Sequence, residues 1–275
     1  MVLPKALTVK MIPQFESMVT TNVEDNLFYS ALKAFPKEIT TDQQELLKKE
    51  YAATIKEKLE PQFKKITAFL KNEYLPASRT TSGIGSLPNG KELYKVYAKQ
   101  WTTTTKTPEE IHALGLKEVA RIKAEMEKVK DQVGFKGTIN EFFEHVRTKP
   151  ELMSFKTPEE VIANFEKIHQ TIKPNVDKLF SLQPKCPFQI KRTEAFREKT
   201  ASAEYSQGTA DGSRPGVFYV PIPDVKAYNY YGDEDLFLHE AIPGHHFQIS
   251  LQQENNELPN FRKFAWFGAY GEGWA

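Results

Sequence analysis

His239-Glu240-Ala241-Ile242-Pro243-Gly244-His245-His246 gathers three of the chain's six histidines into one short stretch, with a glutamate directly after the first. Neutral imidazole nitrogens are zinc ligands, and a carboxylate beside a bound metal can act as general base toward an attacking water. Further on, Gly271-Glu272-Gly273-Trp274-Ala275 brings a second carboxylate that could complete a ligand set. Residues of these types, in this order, suit metal-assisted hydrolysis and above all a zinc-dependent peptidase.

The spacing departs from the usual one. A zincin helix carries His-Glu-x-x-His, which sets its histidines about 40° apart around the axis and about 6 Å apart along it. Here the first and second histidines stand at i and i+6, roughly 240° apart on an unbroken helix, where no single ion could reach both. Pro243 removes that obstacle. It has no amide hydrogen, its ring would clash with the carbonyl of His239, and it drives Ile242 away from helical geometry. Gly244 can then take a conformation closed to other residues. A local bulge is therefore expected to return His245 to the face of His239, with His246 as the alternative ligand.

With these residues in place, the chain resembles the bacterial family catalogued as domain of unknown function 885. That family carries His-Glu-x-x-Pro-Gly-His and, downstream, Glu-Gly-Trp-Ala. It is grouped with zincin-like metallopeptidases of the gluzincin type, whose third ligand is a downstream glutamate. Leu87-Pro88-Asn89-Gly90 with Tyr94, the run from Thr107-Pro108-Glu109-Glu110 to Val119, and Gly212-Ser213-Arg214-Pro215-Gly216-Val217-Phe218-Tyr219 extend the resemblance over nearly the whole chain. The metal motif is specific and the other stretches support it. The resemblance implies His239, His245 and Glu272 as ligands of a Zn2+ cofactor, Glu240 as general base and a peptide as substrate. It also implies a lipoprotein-like protein of the bacterial cell envelope. Because family members are longer, the chain reads as a central piece, in which metal binding could be weakened and activity lost.

Composition narrows the alternatives. At 275 residues the chain can bury a sizeable core, as one large domain or two lobes. Its 37 Lys plus Arg balance 36 Asp plus Glu to a net charge of +1, which argues against broad electrostatic binding to nucleic acid or acidic membranes. No apolar run is long enough to span a bilayer. Cys186 is the only cysteine, so an internal disulfide framework and a cysteine-rich zinc site are excluded. The oligomeric state is not encoded in any recognisable pattern.

The elements that must position the motif are predicted as mainly α (α+β): a helical lobe over 1–182, then a small metal-binding mixed lobe over 183–275. Thr41 or Asp42 is expected to cap a helix through Leu46, Leu47, Tyr51, Ile55 and Leu59, interrupted or kinked at Pro61. Thr107-Pro108-Glu109-Glu110 and Thr157-Pro158-Glu159-Glu160 are strong helix starts, and Ile111, Leu114, Val119, Ile122 and Met126 form the apolar face behind the first. The glycine-rich segment 82–90 reads as a loop; Pro88 stands where a dinucleotide fingerprint needs glycine.

Prolines punctuate the chain after Leu182, and Val217-Phe218-Tyr219-Val220 reads as a strand beside the metal helix that could take a substrate backbone by strand addition. Asp233 is expected to cap the metal helix, and a second helix to run from Leu258-Pro259 toward Tyr270. Arg214 is a candidate clamp for a substrate carboxylate, with a structural ion pair as the alternative. Tyr219 or Tyr270 could donate to an oxyanion, though aromatic packing explains either more simply. His112, His145 and His169 read as structural or surface histidines rather than ligands. Two rival readings remain: a scaffold protein with a structural zinc, for which His246 could be the fourth ligand, and a catalytically dead peptide-binding relative. Gly212-Ser213-Arg214-Pro215-Gly216 lacks the Gly-x-Ser-x-Gly pattern of a serine hydrolase.

Overall fold

Capping signals and helical periodicity govern most of the molecule, which is mainly α with a small three-stranded sheet. A computed structural model describes residues 2–195 and 197–275. The chain divides into two compact units, Met1–Tyr94 and Lys95–Ala275. This division falls well before the change of sequence texture at residue 182, because α8 (Pro158–Leu179) packs onto the sheet that follows it.

The first unit holds α1 (Lys5–Glu16), α2 (Thr41–Thr54), α3 (Glu60–Phe69) and α4 (Leu75–Ala77), and the division itself lies within α5 (Gly90–Thr102). Thr40, rather than Thr41 or Asp42, caps α2. Its hydroxyl accepts from the Gln43 amide at 3.3 Å, and the Gln43 side chain accepts from the Thr40 amide at 2.9 Å. Thr41 also has a glutamine three residues on, but the Gln44 side chain donates to the Ile39 carbonyl at 2.9 Å instead of reaching back to a cap. Pro61 does not break the helical run, because the turn Ile55–Leu59 widens to π geometry ahead of it, with the Glu60 amide bonding the Ile55 carbonyl. The wider turn gives the proline ring room; a second such turn, Leu70–Tyr74, precedes Pro76. Tyr29, Leu32 and Ile55 form the buried centre of this unit.

The second unit continues with α6 (Pro108–Gln132), α7 (Ile139–Thr148) and α8. Thr107 and Glu110 form the expected capping box on α6. Thr157 accepts from the Glu160 amide, while the Glu160 carboxylate turns to the Lys156 amide. The periodicity of α6 gives a helix without burying it: Leu114, Val119, Ile122 and Met126 are all exposed.

Strands β1 (Phe188–Arg192), β2 (Glu204–Ser206) and β3 (Gly216–Val220) follow, in the spatial order β1-β3-β2. The predicted strand is thus the central one, parallel to β1 and antiparallel to β2. Both its edges are already paired, so β3 cannot take a substrate strand; the outer edges belong to β1 and β2.

Register and pleat put Ile190, Phe218, Val220 and Tyr205 on one face of the sheet and Lys191, Tyr219 and Glu204 on the other. Val161, Phe165 and Ile172 of α8 pack on the first face together with Phe237 and Ala241 from the metal-motif segment. Phe165 meets Phe218 edge-on at 5.2 Å between ring centroids, and both are fully buried. Each such phenylalanine contributes roughly 2–3 kcal/mol by burial, which fixes the motif segment on the sheet. The chain ends with α9 (Asp233–Glu240), α10 (His245–Glu254), α11 (Asn260–Lys263) and α12 (Gly268–Trp274). Among the described residues, no helix is long and apolar enough to cross a membrane.

Candidate metal centre

Proline and glycine split the motif into two helices instead of bulging one. The Ala241 amide makes the last α9 bond, to the Phe237 carbonyl at 2.9 Å, and the backbone then turns away with φ −111° and ψ −96°. The Ile242–Pro243 peptide is cis. Helix α10 restarts at His245, its Gln248 amide bonding the Gly244 carbonyl at 3.0 Å. Gly244 has φ −74°, so left-handed geometry is not what it supplies. A Cβ there would run into the carbonyl oxygens of His239 and Leu238, so only glycine lets the two helices approach this closely. The outcome matches the purpose of the expected bulge: the rings of His239 and His245 meet edge-to-face, 4.7 Å between centroids.

Helix α12 brings the third group. Glu272 Oε2 lies 3.6 Å from His239 Nε2 and 3.7 Å from His245 Nε2, and donor atoms of the three residues lie within 4.8 Å of one another. Tetrahedral zinc with bonds of about 2.0–2.1 Å needs ligand atoms roughly 3.3–3.5 Å apart. Small side-chain adjustments would close that gap, so two imidazoles and a carboxylate fit the ion.

The single helix expected from Leu258 to Tyr270 is broken into α11 and α12. Phe264, with φ −115° and ψ 1°, ends the first, and the Gln252 amide holds the carbonyls of Arg262 and Ala265 at 2.6 and 3.2 Å. The break lets the Trp266 indole fold against Gly271 and approach the His245 ring at 5.8 Å. A seven-residue helix has little stability of its own, and tertiary contacts must hold it. Trp274 Nε1 donates to the Pro243 carbonyl at 2.6 Å, and Gln248 Nε2 donates to the Tyr270 carbonyl at 3.1 Å. Trp274→Phe keeps an aromatic ring and loses the first tether. Zinc affinity, measured against a competing chelator, should fall about 10-fold, the lower end for outer partners of a metal site.

Glu240 is only 8% exposed, and burial pushes its carboxyl above the usual range, with neighbouring His239 opposing. Burial and then His239 lower the pKa of His245, which favours the neutral, ligating form. His246 is turned away from Glu272 into the sheet face. Its Nδ1 meets the Tyr205 hydroxyl at 2.9 Å, its ring lies 5.1 Å from that of Phe188, and burial pushes its pKa down to about 4. Of the two adjacent histidines, His245 therefore joins the cluster and His246 does not.

The remaining candidates lie elsewhere. Arg214 is exposed; its backbone closes a loop with Thr209, and among the described residues its guanidinium forms no ion pair. Tyr219 lies on the sheet face opposite α9, with the Arg197 guanidinium 5.0 Å from its ring centre. Tyr270 is exposed on α12. His145 packs on Phe135, and His169 lies between Phe188 and Phe237. Sequence reasoning missed Tyr205, Trp266 and Gln248, whose positions bear no local signal, and gave Trp274 no role of its own.

Asp233 opens α9 without capping it. Its buried carboxylate accepts from Tyr228 Oη and Asn164 Nδ2, each at 2.8 Å, which ties the metal helix to α8. Burial pushes its pKa up to about 6 from 3.8. The folded state therefore holds the proton more tightly than the unfolded chain. This contribution is complete below about pH 4 and is lost as pH rises through about 6, a difference on the order of 2–3 kcal/mol. The stability difference between the wild type and Asp233→Asn, from denaturant midpoints across pH 4–7, should show that slope.

Helix α9, the break at Pro243-Gly244, the restart at His245 and the returning Glu272 define a candidate three-donor site with a buried carboxylate directly after His239. The chain belongs to the family described as bacterial protein of unknown function (DUF885), which it matches over residues 1–275. A crystal structure described as "the putative lipoprotein from Colwellia psychrerythraea" is similar with a TM-score of 0.89 and 26% sequence identity, over 99% of this chain and 48% of that one. The chain thus spans about half the length of that relative. Comparison with curated protein sequences finds no match.

Proposed function

We propose that the chain carries the metal centre of a zinc-dependent peptidase. The observation that carries this reading is the convergence of His239, His245 and Glu272, with Glu240 directly after the first ligand. Structural zinc sites usually close with four protein ligands, whereas catalytic sites use three and keep a position open. The engagement of His246 by Tyr205 takes away the fourth donor considered for a structural site and so supports the catalytic alternative.

Bound zinc would supply Lewis acidity at the scissile carbonyl. His239, His245 and Glu272 would hold the ion. The Glu240 carboxylate takes the proton of the attacking water and returns it to the leaving amine, and its burial makes it a stronger proton acceptor. Of the two outer edges, that of β2 lies beside Glu240 through the Tyr205 backbone, so β2 rather than β3 is the strand we assign to a substrate backbone. The similarity to a protein described as a lipoprotein favours a cell-envelope setting.

The test is zinc content per chain by elemental analysis, together with amine release from denatured casein. About one zinc per chain, lost in His239→Ala, with amine release that follows the metal, is the expected result. Zinc without hydrolysis would favour the peptide-binding or scaffold reading, and no zinc or other divalent metal in the wild type would sink both.

A further inference from the structure

Helix α10 begins with two adjacent histidines that serve different partners. Successive helical residues point about 100° apart, so His245 faces Glu272 while His246, 1% exposed, faces the sheet. There the His246 ring lies against the backbone of Cys186, whose influence opposes the effect of burial on its pKa. Its Nδ1 and the Tyr205 hydroxyl stand 2.9 Å apart, a hydrogen bond in which the hydroxyl donates to an unprotonated Nδ1. Ser250 Oγ reaches the same nitrogen only at 3.4 Å.

Tyr205 is the middle residue of β2, a three-residue edge strand paired on one side. So short a strand frays unless something else holds it. Its backbone faces the Glu240 carboxylate and opposes the effect of burial on that group's pKa. Gly216, on β3, leaves the room for this arrangement: a Cβ there would meet the Tyr205 ring and hydroxyl and would lie 2.9 Å from His246 Nδ1.

We propose that the Tyr205–His246 hydrogen bond, seated over Gly216, is a latch that fixes the edge strand β2 to the first turn of the metal-binding helix. Through β2 it positions the Glu240 carboxylate and the strand edge along which a substrate would lie. Tyr205 and His246 are positioning residues here. The catalytic consequence rests on the peptidase reading; the mechanical one does not.

The test is amide hydrogen exchange at residues 204–206 in the zinc-loaded chain. Loss of one such bond should speed exchange there by about 10-fold in Tyr205→Phe, with zinc content and thermal midpoint close to wild type. Ser250→Ala, which removes the longer contact to Nδ1 and a Ser250 contact with Tyr205 but keeps the 2.9 Å bond, should leave β2 exchange unchanged. A bond with a purely structural role would lower overall stability without singling out β2. Should Tyr205→Phe fail to fold, His246→Gln, which keeps an acceptor, is compared with His246→Phe, which does not. The latch predicts slow exchange in the first and fast exchange in the second.

Unchanged β2 exchange in folded Tyr205→Phe, or equal exchange in the two His246 variants, overturns the latch. Amine release from casein is followed in parallel and should fall about 10-fold with the latch broken. A wild-type chain that binds zinc and releases no amine counts against the peptidase reading alone, because the exchange comparison still decides the latch.

Discussion

Glu240→Gln is expected to leave about one zinc per chain and to lower amine release from casein by about 10²- to 10⁴-fold, the usual worth of general acid–base help. Glutamine matches the shape of the side chain, and Glu240 is no member of the three-donor cluster, so the ligands stay where they are. What is lost is a proton acceptor. Glu240 is 8% exposed beside His239, and its burial raises its affinity for a proton. Undiminished hydrolysis with full zinc would remove Glu240 from the mechanism. Loss of zinc would instead mean that the carboxylate helps to hold the ion.

Gly244→Ala should have the second largest effect. The added methyl would fall on the carbonyl oxygens of His239 and Leu238, both backbone atoms in the last turn of α9, so no side-chain rotation can relieve the contact. The two helices must separate where their histidines meet. We expect zinc affinity to fall about 10- to 100-fold, the range seen when the surroundings of a ligand are disturbed, and stability to fall by about 1–3 kcal/mol from overpacking. Competition with a chelator measures the first and denaturant unfolding the second. Gly115→Ala is the control: a Cβ at Gly115, on α6, meets nothing within 4 Å, and alanine there should be neutral or stabilising. Equal zinc affinity in Gly244→Ala and wild type would show that the close approach of the helices is not what aligns the histidines.

These effects concern a chain that spans 48% of the Colwellia psychrerythraea relative. Within this chain the α6 face of Leu114, Val119, Ile122 and Met126 stays exposed, although its spacing is that of a buried stripe. Periodicity reports which residues share a side of a helix. It carries no information on whether anything covers that side. The same limit explains Leu46 and Tyr51 on α2, which fit the pattern and are exposed.

What the sequence determined by itself was local chemistry. Thr107 with Glu110 starts α6 because hydroxyl and carboxylate reach only a turn away. Pro243 disturbs the helical ladder because it has no amide to give, though the sequence pointed to a bulge rather than the break that formed, and the run from Val217 to Val220 is extended because branched and aromatic side chains suit a pleated surface. His239, Glu240, the His245-His246 pair and Glu272 were readable as candidates from type and order, and the family resemblance favoured His245 within the pair.

The tertiary structure decided everything that depends on distant parts of the chain. It made β3 central rather than an edge, because Glu204–Ser206, too short to signal a strand, pairs beside it. Asp233 became a tie to Asn164 and Tyr228 instead of a cap, since both partners lie outside its own helix. His246 was drawn to Tyr205 and His245 toward Glu272, although in sequence the two histidines are equivalent neighbours. A side chain's identity fixes which bonds it can form. Only packing, which sums weak contacts over the whole fold, fixes which partner arrives.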